Sequence, residues 1–288
     1  MSYEIKILPK ENWPPLLAET PKPPIKLYYA GAVPDYSRKF LCVVGSRKYT
    51  TYGRDAVEYL IKGLKDYPVT IVSGLALGID SFAHVAALKY RLPTVSVPGS
   101  GLNPKVLHPQ SHLQLAKEIT EKGGTLLSEF EPDFKATFWS FPQRNRIMAG
   151  LSQATLLIEA GEKSGTLITA KLATDYNREL LCVPGPIFSS NSEGTNMFAR
   201  LGATLVRSSE DILEALKISS ASLGQVKPDY LDCSPNEIKI IEILNEPIER
   251  DELVRKTGLP IHEIQMTLTL LELKGYIKEE MGEVRLVK

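Results

Sequence analysis

The chain has 288 residues, 43% of them hydrophobic and 24% charged, proportions of a globular protein with room for one large domain and one small one. Lys plus Arg equal Asp plus Glu at 34 each, which excludes a bulk basic field of the kind that coats duplex without specificity; a polyanion would have to be held by local clusters and helix termini. No apolar run reaches 18 residues, the amino terminus lacks a signal-peptide layout, and the three cysteines form no CxxC or Cys/His cluster, so the expectation is a cytoplasmic chain with reduced thiols and neither metal nor cofactor.

Residues 1–38 are Pro-rich, as in "PKPPIKLYYAGAVPDYS", and read as an irregular arm packed on the succeeding domain. From Phe40 onward short β-branched runs alternate with helical stretches. The runs are "FLCVVG", "VTIVSG", "PTVSVPG", "TLLSEF", "ATLLIEA", "LLCVPG" and "GATLV". The helical stretches are Tyr52–Lys65, Ser81–Arg91, Gln110–Lys122, Gly165–Arg178 and Glu210–Lys217. Strands that are apolar on both faces and alternate with helices predict a parallel sheet covered on each side. Residues 39–218 are therefore expected to form one Rossmann-like, doubly wound α/β domain of about seven strands.

Small residues in "SSASLGQVKPDYLDCSP" predict a linker at 219–235. Residues 236–288 then carry three amphipathic helices and a closing hairpin, the pattern of a winged helix. This segment holds eleven acidic and eight basic residues, and "IHEIQMTLTLLELK", its third helix, has Glu263 and Glu272 against Lys274 alone. A helix that reads a duplex groove sits among phosphates, so this one suits a protein partner or a second copy better.

Five of the strands end in ligand-ready turns, and open α/β sheets bind ligands beyond the carboxyl ends of their strands. The first strand ends in Gly45-Ser46-Arg47, a tight turn followed by a hydroxyl and a phosphate-matching fork. The second runs from Ser73 to Asp80, with Gly74 and Gly78 allowing close approach to backbone amides. The third ends in Pro98-Gly99-Ser100-Gly101 and the sixth in Pro184-Gly185, where the glycines either meet a ligand or only turn the chain. The fifth runs into "GEKSGTLITA", where Lys163, Ser164, Gly165 and Thr166 open a helix. In the nucleotide-hydrolase loop the lysine follows the last glycine, whereas Lys163 precedes it. Asp80 and His84, at i and i+4, share a helical face and read as a pair pinning that helix.

In "FPQRNRIMAGLSQ" Arg144 and Arg146, with Asn145 between them, face opposite ways if the segment is helical. One is expected to brace a loop carboxylate, Glu129 or Glu159, and the other to meet ligand or solvent. Tyr49, Phe138 and Trp139 are the aromatic candidates for stacking against bases.

Taken together, "GSR" at 45–47, "SGLALGID" at 73–80 with His84, "LLSEF" at 126–130, "FPQRNRIMAGLS" at 141–152, "EKSGTLITA" at 162–170, "VPG" at 183–185 and "EGTN" at 193–196 resemble the DNA-processing protein A family (DprA/Smf) of bacterial natural transformation. The resemblance implies an extended Rossmann-like domain that binds single-stranded DNA (ssDNA), forms a homodimer and helps to load the RecA recombinase. By motif it places Arg47 and Lys163 on DNA phosphates, with Ser46, Gly165 and Thr166 as surrounding donors. One departure stands out: the family's Tyr-Pro pair is here His108-Pro109, and His108 reads as a loop residue.

The alternative is a nucleotide-processing enzyme of the phosphoribohydrolase-like superfamily, whose "PGGxGTxxE" loop ends in a catalytic glutamate. This chain keeps Gly165-Thr166 but has Thr169 at the position of that acid, and a hydroxyl cannot stabilise positive charge at the sugar carbon. No catalytic residues are therefore expected.

Overall fold

Residues 3–218, 233–244, 248–280 and 283–286 are described by the structure, a computed structural model of the chain. The chain divides near residue 223 into two compact units. The expected linker, apart from its last three residues, lies outside the described segments.

The larger unit contains, in chain order, β1 (Lys6–Ile7), α1 (Pro15–Ala18), β2 (Tyr28–Gly31), β3 (Lys39–Val44), α2 (Thr51–Lys62), β4 (Val69–Ser73), α3 (Ile79–Lys89), β5 (Thr94–Ser96), α4 (Leu113–Glu121) and β6 (Thr125–Ser128). It continues with α5 (Ser140–Leu151), β7 (Ala154–Leu157), α6 (Thr166–Asp175), β8 (Glu179–Cys182), α7 (Glu193–Arg200), β9 (Thr204–Leu205) and α8 (Ser209–Ala215). The seven expected strands are β3 to β9.

The sheet has nine strands, ordered β1-β2-β6-β5-β4-β3-β7-β8-β9. Its seven central and later strands run parallel, while β2 pairs antiparallel with β6 and β1 with β2. The arm is thus not irregular throughout, since Tyr28–Gly31 extends the sheet and Tyr28 and Ala30 are buried in it.

Alternation along β3 explains the layering. Leu41 and Val43 enter the core under α2, α3 and α8, whereas Phe40, Cys42 and Val44 enter the opposite core beneath α1, α5 and α6. Each such fully buried aliphatic side chain contributes roughly 1.5–3 kcal/mol.

Chain order fixes where a ligand can enter. From β3 the chain proceeds outward through β4, β5 and β6, then returns to place β7 on the other side of β3. The order reverses between β3 and β7, and there the loops after the two strands diverge and leave a crevice.

The smaller unit has α9 (Pro235–Ile243), β10 (Ile248–Glu249), α10 (Arg250–Thr257), α11 (Ile261–Leu273), β11 (Ile277–Glu280) and β12 (Glu283–Leu286), with its sheet ordered β10-β12-β11. Ser234 begins α9 with a reciprocal cap, its hydroxyl accepting from Glu237 N while the Glu237 carboxylate accepts from Ser234 N. Ile240, Leu253, Ile264, Leu268, Leu271 and Val284 form its core. On α11 the outward residues are mixed, with Met266, Leu270 and Leu273 exposed among Gln265, Thr269 and Glu272.

Candidate functional site

A groove of about 700 Å³ opens at the reversal point. One wall is the loop after β3, from Gly45 to Lys48, and the other is the loop and first turn after β7, from Gly161 to Thr169. The floor is α5, through Arg144, Asn145 and Met148.

Of the residues singled out from sequence, Gly45, Ser46, Arg47, Arg144, Asn145, Lys163, Ser164, Gly165 and Thr166 all line this groove, joined by Asp80. The strand order that gathers these leaves others out. Gly74 lines a smaller cavity of about 40 Å³ alongside, with Arg47, His108 and Phe141. The Ser73 hydroxyl is buried and donates to Val43 O at 2.7 Å. Gly78 sits at φ +83°, where an added Cβ would collide with Ser46 O, so it shapes the wall from behind. Gly99 faces the Phe141 ring and Gly101 the backbone of Glu131 and Pro132. Gly185 exchanges hydrogen bonds with the Asn196 amide, which accounts for the "EGTN" motif as a brace of that turn.

Arg47 and Lys163 are exposed cations on opposite walls, with Lys48 beside Arg47. The Arg47 guanidinium lies over the Phe141 ring, 5.2 Å from its centroid, an arrangement that orients the fork while leaving its donors available. Among the described residues neither cation makes an ion pair.

The walls are stiff. The Ser46 hydroxyl donates to Lys48 O at 2.9 Å and accepts from Lys48 N at 3.1 Å, so it closes the turn and is not a free donor, contrary to the expectation for it. The Ser164 hydroxyl likewise donates to Thr166 Oγ1 at 3.0 Å and accepts from Thr166 N at 3.2 Å. The Thr166 amide is therefore already engaged.

Gly165 differs from the other glycines. Its φ is −59°, and an added Cβ would meet nothing within 4 Å. The fold itself does not call for glycine there, but close approach of a ligand backbone would.

The structure corrects two pairings. Glu159, 3% exposed, is held by Thr50 and not by an arginine: it accepts from Thr50 N at 2.9 Å and from the Thr50 hydroxyl at 2.5 Å. Since Thr50 also caps α2, Glu159 ties the two walls together. Asp80 and His84 do not bond each other. Asp80 accepts from Gly74 N at 3.1 Å, and burial raises its pKa against the pull of Arg144. His84 Nδ1 lies 2.8 Å from Thr94 Oγ1, whose hydroxyl donates to Ile71 O; the ring must donate to Thr94, and burial lowers its pKa to about 3.

The two arginines of α5 separate as their spacing requires. Arg146 pairs with Glu129 and donates to Lys22 O, outside the groove. Burial raises the Glu129 pKa, with Arg146 opposing. Arg144 is on the groove floor but only 4% exposed, and its Nη1 donates to Gly74 O and Val97 O, stitching the ends of β4 and β5 together. Its contribution is scaffold and local field, with no donor shown to be free for a ligand.

Among the aromatic candidates, Phe138 lines the groove and is 96% exposed. Trp139 packs on Phe130 and Phe134, and Tyr49 meets Phe82 edge-on at 4.6 Å. His108 is more than a loop residue: its ring lies 5.4 Å from Phe141 and its pKa is lowered by burial, then by Arg47 and Arg144. A family-independent signal for it was absent, because the cavity exists only once the loop after β5 reaches Arg47.

Residues 4–217 match the family described as DNA recombination-mediator protein A, and residues 232–283 match the DprA winged helix domain. The chain is 37% identical over 279 residues to protein Smf of Escherichia coli (strain K12), covering 94% of this chain and 74% of that protein. It is 38% identical over 195 residues to DNA processing protein DprA of Bacillus subtilis (strain 168), covering 67% of this chain and 65% of that protein. Two solved structures superpose well. DNA processing protein A from Streptococcus pneumoniae matches with TM-score 0.68 and 35% identity over 74% of each chain. DNA processing protein A from Helicobacter pylori, solved to explain its single-stranded DNA binding mode, matches with TM-score 0.66 and 28% identity over 75% of this chain and 96% of that one.

Proposed function

This chain belongs to the DNA recombination-mediator protein A family, and from that premise we propose that its groove holds ssDNA, so that the protein protects an incoming strand and assists its loading with the RecA recombinase during transformation and recombination. The carrying observation is the pairing of Arg47 and Lys163 on opposite walls with a glycine that the fold does not require, Gly165, in the Lys163 wall. Two cations across a crevice can grip one or two phosphates of a strand that bends, which a duplex backbone resists.

The Helicobacter pylori protein's single-stranded DNA binding supports the same ligand here. A binding role without catalysis fits the groove's chemistry. Thr169 stands where the phosphoribohydrolase acid would, Glu159 is locked on Thr50, and Asp80, held by Gly74, is the one carboxylate among the groove's described lining residues.

A homodimer is proposed at the β9 end of the sheet. Helix α8 does not serve, because Ile212, Leu213 and the following Leu216 are buried in their own core. The strand before it does offer a surface: β9 is the sheet's edge, with Leu205 exposed and Leu201 and Met197 beside it. The outer face of α11, with Met266, Leu270 and Leu273 exposed and Glu272 as its exposed acid, suits a protein partner for the winged helix.

The test is fluorescence anisotropy with matched single- and double-stranded oligonucleotides. Preference for the single strand supports the reading, and preference for duplex rejects it.

A further inference from the structure

Two phenylalanines stand outside the hydrophobic cores, each 96% exposed. Phe138 follows Thr137, whose carbonyl accepts from Ser140 N at 3.1 Å. Phe188 precedes Ser189, whose N–H donates to Pro186 O at 3.0 Å. Both rings therefore sit at the centre of a hydrogen-bonded turn, in positions that ordinarily take Gly, Asn, Asp or Ser.

Both turns are fastened to the groove. Phe138 lines it directly, immediately before Trp139, which packs on Phe130 and Phe134 and leads into α5. The turn bearing Phe188 is pinned at each end. Gly185 is braced by Asn196, and the Asn191 side chain donates to Lys48 O at 2.6 Å while its carbonyl accepts from Ala160 N at 2.7 Å. Asn191 itself lines the groove, so the Phe188 tip is anchored to both walls while its ring packs on nothing. Ile187, 81% exposed, adds apolar area beside it.

We propose that Phe138 and Phe188 are base-stacking posts flanking the phosphate grip, so that bases neighbouring the gripped nucleotides stack on the two rings. The inference rests on the ssDNA reading of the same groove and extends it to the bases. A rigid turn tip presents a ring with its entropy cost already met, and a π-face accepts any base, which gives affinity without sequence preference.

The experiment compares the full chain with Phe138→Ala, Phe188→Ala and Phe188→Trp on a single-stranded oligonucleotide and on an abasic strand of equal length and charge. Each alanine variant is expected to melt like the parent, to lose roughly five- to hundredfold in affinity for the ordinary strand, and to match the parent on the abasic strand. Phe188→Trp should restore binding. Unchanged affinity for the ordinary strand, or equal losses on both strands, overturns the stacking proposal while leaving the phosphate grip in place. A parent chain that does not bind the ordinary strand at all rejects both.

Discussion

Arg47, Lys163 and Arg144 are three cations of one groove with different duties, and exposure separates them. Arg47→Ala and Lys163→Ala remove exposed donors at loop positions, so each should weaken ssDNA binding by roughly 1–3 kcal/mol with little change in melting temperature. Arg144→Ala instead leaves the carbonyls of Gly74 and Val97 without their donor and buried Asp80 without its main cation, a loss of roughly 3–5 kcal/mol in stability. Calorimetry on the three variants beside binding curves checks the division. His84 gives a pH signature. Its folded pKa is about 3 against an ordinary 6.5, so below pH 6.5 the unfolded chain takes up a proton that the folded chain refuses. Stability from this group is complete above pH 6.5 and is lost progressively toward about 3, amounting to roughly 2 kcal/mol by pH 5. His84→Gln should flatten the dependence of melting temperature between pH 7 and 5, and an unchanged slope would place the proton elsewhere. Sequence placed Arg47 and Lys163 because strand-end cations beside glycines have few packing roles. It misassigned Glu159, since nothing in a linear chain brings Thr50 within reach of residue 159.

At the level of elements, seven strands were legible because short β-branched runs closed by Gly or Ser have few other readings. Helix α5 was not legible as one. It buries Arg144 and Asn145 along with Ile147, Met148 and Leu151, so its inward face is polar near the groove and apolar beyond, and no clean period survives. Strand β2 was hidden by neighbouring prolines, although its Tyr28 and Ala30 alternate inward. In α8 the regular apolar pattern marks burial without saying against what, and Ile212 and Leu213 turn out to pack on their own sheet. The proposed dimer surface is β9, where Leu205→Lys sets a charge on an apolar sheet edge. Light scattering at micromolar concentration should find a dimer for the parent and a monomer for the variant; a parent monomer contradicts the interface.

For the whole molecule, zero net charge and a DNA ligand are compatible only if positive potential is focused, and the sheet's reversal point does the focusing by bringing three loop cations, Arg47, Lys48 and Lys163, and the floor arginine to one crevice. Balanced charge elsewhere keeps duplex from coating the surface. A chain ending at residue 218 contains every groove residue and should bind ssDNA as tightly as the full chain, with anisotropy as the readout. The salt dependence of binding tests the central claim most directly. Each strand phosphate neutralised contributes about 0.7 to the slope of log affinity against log salt. The parent should therefore fall with a slope of at least about −1.4 on ssDNA, becoming shallower by about 0.7 in Arg47→Ala and again in Lys163→Ala. A slope that neither substitution alters, or a steeper and tighter response on duplex, would contradict a single-strand phosphate grip in this groove.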